Sequence, residues 1–131
     1  NHYHIPGEAV VFVIRHGKAN ILLANDTGYL PEDSWKWIEN AGIRFDIVIA
    51  DCTGGVLDWR DHHMGGAWQK AFRDRLRSLG AIDSATRYII NHFSHNGKAL
   101  HADLERVFGP DGMEVGYDGM VISYDQEKKE F

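Results

Sequence analysis

Apolar and polar residues alternate along the chain in two periods, which together predict six strands and three helices. Short runs rich in β-branched residues predict strands, and stretches with an apolar residue at every third or fourth position predict helices. The predicted strands are 9–15, 19–24, 45–50, 86–91, 113–116 and 120–124, and the predicted helices are 31–40, 66–79 and 100–108. The order ββ-α-β-α-β-α-ββ, with strands alternating with helices, indicates an α/β fold.

Turn residues separate these elements. His16, Gly17 and Lys18 lie between the first two strands and predict a hairpin. Gly42 and Gly80 follow the first two helices, at the position where glycine commonly ends a helix. The charged segment 125–131 is predicted to be a frayed tail. The sequence thus predicts one continuous unit over residues 1–131, without internal repeats.

Composition limits the classes of function. The 131 residues are 44% hydrophobic, enough for one globular core, and the net charge is −5. This charge disfavours a nonspecific nucleic-acid binder, which needs clustered Lys and Arg. There is no apolar run of about 20 residues and no signal-peptide pattern, so we expect a cytoplasmic location and no membrane contact. Cys52 is the single cysteine, which excludes an intrachain disulfide, and we expect it to be buried and inert.

Polar side chains follow three of the predicted strands. Asp26 follows the second strand, Asp51 the third and His92 the fourth. Residues just beyond the carboxyl ends of strands in α/β sheets commonly form the functional site. Each residue also has an ordinary interpretation: Asp26 as a turn former, Asp51 as a turn residue or as a hydrogen-bond acceptor for a histidine ring, and His92 as a solvated loop residue.

Histidines strengthen the case for metal chemistry. His92 and His95 lie three residues apart in one loop, and neutral imidazole is the commonest metal ligand among titratable side chains. His62 and His63 precede the second helix; we interpret His62 as loop surface, whereas His63 lies where a helix N-terminus favours anions. A carboxylate such as Asp26 can bridge two cations, which an imidazole cannot do.

Five segments spread over nearly the whole chain form an ordered set, although each short motif alone is weak. They are Asn1-His2, GKANILLANDTGYLPE (17–32), DIVIADCTGG through HHMGG (46–66), NHFSHNG (91–97) and VGYDGMVI (115–122). This ordered set resembles the metallo-β-lactamase superfamily, and is most similar to its phosphonate-pathway cyclic phosphodiesterase and tRNase Z branches.

The resemblance implies a role for each matching residue. Asp26 would bridge two metal ions, and His92 would bind one of them. A further ligand histidine is expected just before the first strand, where His2 and His4 both qualify and the Asn-His context favours His2. His63 would face the substrate and protonate the leaving oxygen. His95 is a candidate catalytic or substrate contact, although tRNase Z typically has Gln-Arg at His95-Asn96, which disfavours an RNA substrate.

The family's His-x-His-x-Asp-His signature, which supplies most ligands of both metals, is absent from the sequence. That motif belongs to the first half of the αββα sandwich, so the resemblance implies that this chain is the second half only. We therefore expect the N-terminal half of the same domain to be its partner, and we expect the fragment alone to be inactive.

The expected activity is metal-dependent hydrolysis of a small anionic substrate, most simply a phosphodiester, with two divalent ions, zinc first and manganese or iron as alternatives. An ester or lactone hydrolase on the same scaffold is the rival enzyme. A non-catalytic α/β binding domain with ordinary histidines is the rival of another class. Homo-oligomerisation stays open.

Overall fold

The computed structural model describes residues 10–131 and is an α/β structure, as the alternation of elements predicts. The two candidate ligands His2 and His4 lie outside the described residues. The strands are β1 (Phe12–His16), β2 (Ala19–Ala24), β3 (Ile47–Asp51), β4 (Arg87–Asn91) and β5 (Met113–Val115), and the helices are α1 (Glu32–Ala41), α2 (Gly66–Ser78) and α3 (His101–Phe108). Short 3-10 turns cover His95–Gly97 and Gly109–Asp111.

The five strands form one mixed sheet in the order β1-β2-β3-β4-β5. The hairpin β1–β2 is antiparallel, and Gly17 at its turn has a φ of 58°, which glycine adopts without steric cost. The strands β2 to β5 are parallel, with Ala24 opposite Ala50 and Asp51 opposite Asn91. The carboxyl ends of β2, β3 and β4 therefore meet at one edge of the sheet, which brings the loops after them together.

All three helices contribute to one apolar cluster on one face of the sheet. Leu22, Val48 and Tyr88 lie in register across β2, β3 and β4, and each is at most 2% exposed. Trp35 of α1 and Phe72 of α2 are buried in the same cluster. Burying a large apolar side chain contributes roughly 1.5–3 kcal/mol, so this layer is the main source of stability.

The opposite face of the sheet is also apolar, but it is less covered. Strand side chains alternate between faces, so Phe12, Ile14, Ile21, Leu23 and Ile49 project away from the helices. Phe12 is 55% exposed and Ile14 is 42% exposed. Apolar patches of this kind often mark surfaces that contact another chain segment or protein.

The predicted last strand, 120–124, is wrong: no strand forms there, and β5 is the final strand of the described residues. A strand forms only where a neighbouring strand pairs with its N–H and C=O groups, and an apolar pattern alone does not determine whether such a neighbour is present. Tyr124 instead donates a hydrogen bond from its hydroxyl to Asp46 at 3.2 Å. Residues 125–131, for which the sequence predicts fraying, make a turn closed by backbone hydrogen bonds between Asp125 and Glu130.

None of the helices in residues 10–131 combines the length and the apolar character needed to cross a bilayer.

Candidate metal centre

Four side chains from three separate loops converge at the carboxyl edge of the sheet. Asp26 follows β2, Asp51 ends β3, His63 precedes α2 and His92 follows β4. Each offers one ligand atom, and these four atoms lie within 4.8 Å of one another. The loops that the sequence places far apart therefore meet around a common point, and Asp26 and His92 are both members of the group.

Asp51 lies at the centre of the group and is fully buried. Its Oδ1 accepts hydrogen bonds from the backbone N–H of Thr53 at 3.0 Å and of Met64 at 3.1 Å. Its Oδ2 lies 3.0 Å from Nδ1 of His63 and 3.2 Å from Nδ1 of His92. One carboxylate thus orders the turn after β3, the approach to α2 and both imidazole rings.

The carboxylate orients the His63 ring. A carboxylate oxygen accepts hydrogen bonds, so Nδ1 of a neutral His63 donates to Asp51 and leaves the lone pair on Nε2. Oδ1 of Asp26 is 3.8 Å from the same Nδ1. An imidazole held this way by a buried carboxylate has a fixed tautomer and orientation, which both ligation and proton transfer require.

Thr53 connects the same network to His92. Its hydroxyl lies 2.8 Å from Nδ1 of His92, 2.8 Å from the backbone oxygen of His92 and 3.1 Å from Oδ2 of Asp51. A hydroxyl carries one hydrogen and two lone pairs, so it can accept from the ring while donating to one of the oxygens. The rings of His63 and His92 stack at 5.7 Å between centroids.

The backbone at the site adopts an uncommon conformation. Asp26, His62 and His92 have φ values of 54°, 68° and 64°. Residues other than glycine visit this left-handed region rarely, although Asp, Asn and His do so more often than others. Such conformations cost of order 1–3 kcal/mol and cluster at functional sites, so three of them around one cluster support a functional role.

Glycines allow the loops to approach closely. A Cβ atom on Gly28 would lie 2.6 Å from the backbone oxygen of Arg60 and 2.7 Å from the backbone nitrogen of His62. A Cβ atom on Gly97 would lie 2.8 Å from the backbone nitrogen of Gly55. The first contact joins the Asp26 loop to the His63 loop, and the second joins the loop after β3 to the loop that carries His92.

We expect Gly28→Ala to lower the free energy of unfolding by about 1–3 kcal/mol, because the added methyl group meets rigid backbone rather than a flexible side chain. The matched control is Gly109→Ala, whose Cβ meets nothing within 4 Å. Urea denaturation of the two variants beside the wild type measures the difference. Equal stability of both variants would show that the two loops do not need this contact.

Three other residues singled out in the sequence, which the structure describes, lie outside the four-residue group. His95 is exposed in the 3-10 turn after His92, and His62 is an exposed loop residue, as the sequence predicts. Cys52 is fully buried, and burial raises the pKa of its thiol to about 12. This thiol is therefore a poor nucleophile and a poor metal ligand at neutral pH, in agreement with the sequence-based interpretation.

Two contributors were underestimated or missed by sequence reasoning. The sequence leaves Asp51 open between a turn residue and an acceptor for a histidine ring, and the structure combines both roles. The sequence pattern does not single out Thr53. The signal in the sequence was the position of Asp51 and Thr53 at the end of a buried parallel strand, one strand away from His92.

The chemistry of the donor set fits a divalent transition metal. Metals such as zinc hold nitrogen and oxygen ligands at about 2.0–2.2 Å, so ligand atoms of one ion lie about 3–4.4 Å apart. The candidate ligand atoms of the four residues lie within 4.8 Å of one another, close to that range. Two imidazoles and two carboxylates without a thiolate suit zinc, manganese or iron.

Even if all four residues bound metal, they would supply ligands for about one ion, and a dinuclear centre needs more. One further polar atom at this edge lacks a partner: Oδ1 of Asn25, next to Asp26, is buried with no hydrogen-bond partner in residues 10–131. An unpaired buried acceptor costs about 1–3 kcal/mol. A donor from outside residues 10–131 would remove that cost.

Compared with known proteins, the chain matches no protein-family model and no curated protein. The resemblance to metallo-β-lactamases therefore rests on the segments of the sequence that carry it.

Proposed function

We propose that this chain is one half of a metallo-β-lactamase-type hydrolase that cleaves a small phosphodiester with two divalent metal ions, most simply zinc. The observation that carries the proposal is the convergence of Asp26, Asp51, His63 and His92 within 4.8 Å at the carboxyl edge of the sheet. A regulatory domain with ordinary histidines has no need for two rings oriented by one buried carboxylate beside a second carboxylate.

The rest of the site would come from the N-terminal half of the same domain. Two features favour this partner: the described donors suffice for about one ion, and the sheet carries an apolar face away from the helices, with Phe12 and Ile14 exposed. A second sheet packed on that face would bury these side chains and bring further ligands to the same edge. The proposal implies that the 131 residues alone have no turnover.

Asp26 and His92 would hold the metal ions, with His2 as a further ligand. Divalent cations at such a centre supply Lewis acidity toward water and toward the phosphoryl oxygens. Asp51 accepts a hydrogen bond from Nδ1 of His63, so a His63 ring that also carries a proton on Nε2 would be oriented to give that proton to the leaving oxygen and would return to the neutral ring. Thr53 holds the His92 ring in place. His95, exposed in the next turn, would contact the substrate.

The charge of the chain favours a small anionic substrate over nucleic acid. A net charge of −5 would repel a long polyanion, whereas metal ions supply positive charge at one point of the surface. We therefore propose a small phosphodiester as the substrate class.

His63→Ala is expected to keep the metal ions and to lower kcat by about 10²–10⁴-fold, the usual contribution of a general acid. The measurement is metal content together with steady-state cleavage of bis(p-nitrophenyl) phosphate by the full-length protein. The matched control is His101→Ala, which removes an exposed histidine that contacts Glu105 and the Tyr117 ring and is not one of the four clustered residues. A His63→Ala enzyme with the wild-type kcat would rule out the proton-transfer role.

The function itself is tested by loading the full-length protein with zinc, manganese or iron and measuring bound metal and hydrolysis. We expect about two ions per chain, and faster cleavage of phosphodiesters than of lactones or carboxylic esters. Preference for a lactone would replace the proposed substrate class. A full-length protein that binds no metal would overturn the proposed function. Robust turnover by the 131 residues alone would overturn the proposal that this chain carries only half of the active site.

A further inference from the structure

A buried polar pair lies between the sheet and α2, within a largely apolar layer. Gln69 of α2 is 0% exposed and Tyr88 of β4 is 2% exposed. Glutamine is mostly found at protein surfaces, and an amide removed from water without hydrogen bonds costs folding free energy. The burial of Gln69 therefore depends on the partners that its side chain finds inside the protein.

The contacts of the pair fix the orientation of the Gln69 amide. Its Nε2 donates a hydrogen bond to the backbone oxygen of Asp51, which can only accept. Its Oε1 therefore faces the hydroxyl of Tyr88 and accepts a hydrogen bond from it at 2.5 Å. Burial raises the pKa of the Tyr88 hydroxyl well above its usual value, so this group keeps the proton that it donates. Tyr88 thus holds the amide in the orientation that places its NH₂ group on Asp51.

The carbonyl group that Gln69 contacts belongs to the last residue of β3. Strand β2 pairs with β3 only as far as Ala50, so Asp51 extends one residue beyond this neighbour. Helix α2 begins three residues after His63, and Gln69 lies near its start. The hydrogen bond therefore ties the beginning of α2 to the end of β3, at the point where β2 no longer accompanies that strand.

Asp51 is also the residue whose carboxylate contacts both candidate histidines. Its Oδ2 lies 3.0 Å from Nδ1 of His63 and 3.2 Å from Nδ1 of His92. The carbonyl group and the side chain of Asp51 share one Cα atom, so a shift of the main chain moves the carboxylate and the rings that it orders. Metal–ligand distances are defined to within about 0.2 Å, which makes a metal centre sensitive to small displacements.

Thr86 makes the same kind of contact at the other end of β3. Its hydroxyl donates a hydrogen bond to the backbone oxygen of Phe45 at 2.7 Å, just before that strand begins. This contact also anchors the strand to a distant segment of the chain, but it lies at the end opposite to the clustered ligand atoms. Thr86 therefore offers a control that weakens the anchoring of β3 without touching the candidate centre.

We propose that Gln69, held by Tyr88, is a positioning residue of the metal centre. Its hydrogen bond fixes the main chain of Asp51 and, through the carboxylate, the two imidazole rings. The inference rests on the proposed metal-dependent function, and it adds a core residue that touches neither metal nor substrate. Loss of this hydrogen bond is expected to weaken metal binding by more than lower stability alone would do.

The experiment measures zinc affinity and thermal stability in the full-length protein. Gln69→Leu removes both hydrogen bonds of the amide and keeps a side chain of similar size. We expect the Kd for zinc to rise about 10-fold, at the lower end of the loss typical for groups that orient a ligand. We expect the d–d absorption spectrum of the cobalt(II)-loaded protein to change, because the ligand geometry changes. The Tm without metal is expected to fall, since the Tyr88 hydroxyl then lacks its acceptor.

A double variant, Gln69→Leu with Tyr88→Phe, separates positioning from stability. It leaves no buried hydroxyl without a partner, so we expect its Tm to recover part of the loss. Its Kd for zinc is expected to stay about 10-fold above the wild-type value, because the backbone oxygen of Asp51 still lacks this donor. Thr86→Val is expected to lower Tm while its Kd stays within about twofold of the wild type.

A wild-type Kd and cobalt spectrum in the double variant would overturn the inference and leave the metal centre standing. An equal rise of Kd in Thr86→Val would also overturn it, because weaker binding would then follow from lower stability alone. A wild-type protein that binds no zinc would overturn both the inference and the proposed function.

Discussion

Replacing Asp26 by alanine is expected to abolish dinuclear metal occupancy and diester cleavage in the full-length protein. The Asp26 side chain is 49% exposed, so its loss removes little buried contact area. Its carboxylate is more exposed than the fully buried carboxylate of Asp51, and in the proposed centre it would help to hold both cations. We therefore expect a large loss of bound metal and of diester cleavage, with only a small fall in the free energy of unfolding.

The backbone at Asp26 calls for a second variant. Its φ of 54° is tolerated by Asp and Asn and less so by Ala, for which the left-handed conformation costs about 1–2 kcal/mol. Asp26→Asn keeps the backbone preference while removing the charge, so it isolates ligation from strain. We expect it to bind fewer than two ions while melting close to the wild-type temperature.

The measurement is metal content after dialysis together with a thermal melt. Asp33→Asn is the matched control, because Asp33 is an exposed carboxylate whose described partner is Lys36 on the same helix. Full occupancy and normal turnover in Asp26→Ala would contradict the proposed bridging role of Asp26.

Asp51→Asn is expected to lose both stability and metal affinity. Oδ1 of Asp51 accepts from two backbone N–H groups, and Oδ2 accepts from Nδ1 of His63 and faces Nδ1 of His92, so both oxygens serve as acceptors. The amide of asparagine presents its NH₂ group either to the two backbone N–H groups or to the two rings. In both orientations, buried donors lose their acceptor. We expect the free energy of unfolding to fall by about 2–4 kcal/mol.

Metal affinity should fall as well, because Asp51 orients both candidate histidines. Loss of the group that positions a ligating histidine typically lowers metal affinity or activity 10- to 100-fold. Both effects are measured on the same samples, by urea denaturation without metal and by zinc titration of the folded protein below the unfolding transition.

Asp46→Asn is the control for Asp51→Asn. Asp46 is also a buried carboxylate, 6% exposed, but it lies just before β3, at the opposite end of that strand from Asp51. It accepts hydrogen bonds from the N–H of Asn20 at 2.9 Å and from Arg44 at 2.6 Å. We expect Asp46→Asn to be destabilised with unchanged zinc affinity. Equal losses of affinity in the two variants would mean that the effect of Asp51 is a general consequence of destabilisation.

Much of the fold follows from local patterns in the sequence. The apolar run 19–24 forms β2 over those same residues, and helix 66–79 is observed as Gly66–Ser78. Gly17 and Gly42 both have positive φ where the sequence predicts a hairpin turn and a helix end. These features depend on backbone sterics and on side-chain periodicity, which neighbours in the chain determine.

Strand pairing could not be predicted in the same way. The segment 120–124 has a strand-like pattern, yet it forms no strand, because a strand exists only where a neighbouring backbone accepts and donates its hydrogen bonds. Tyr124, which the pattern assigns to that strand, bonds instead to Asp46, 78 positions earlier in the chain. No local pattern carries this information.

The sequence by itself determined the α/β class, the strand ends at which Asp26, Asp51 and His92 lie, and the residue types that suit a metal. Only the tertiary structure decided that Asp51 is the buried centre of the group, that Thr53 joins it, and that His95 stands apart. Parallel strands fix where loops begin, whereas the approach of one loop to another depends on contacts such as that of Gly28 with the Arg60 backbone. Those contacts join residues distant in the chain, and they form only when the whole sheet has folded.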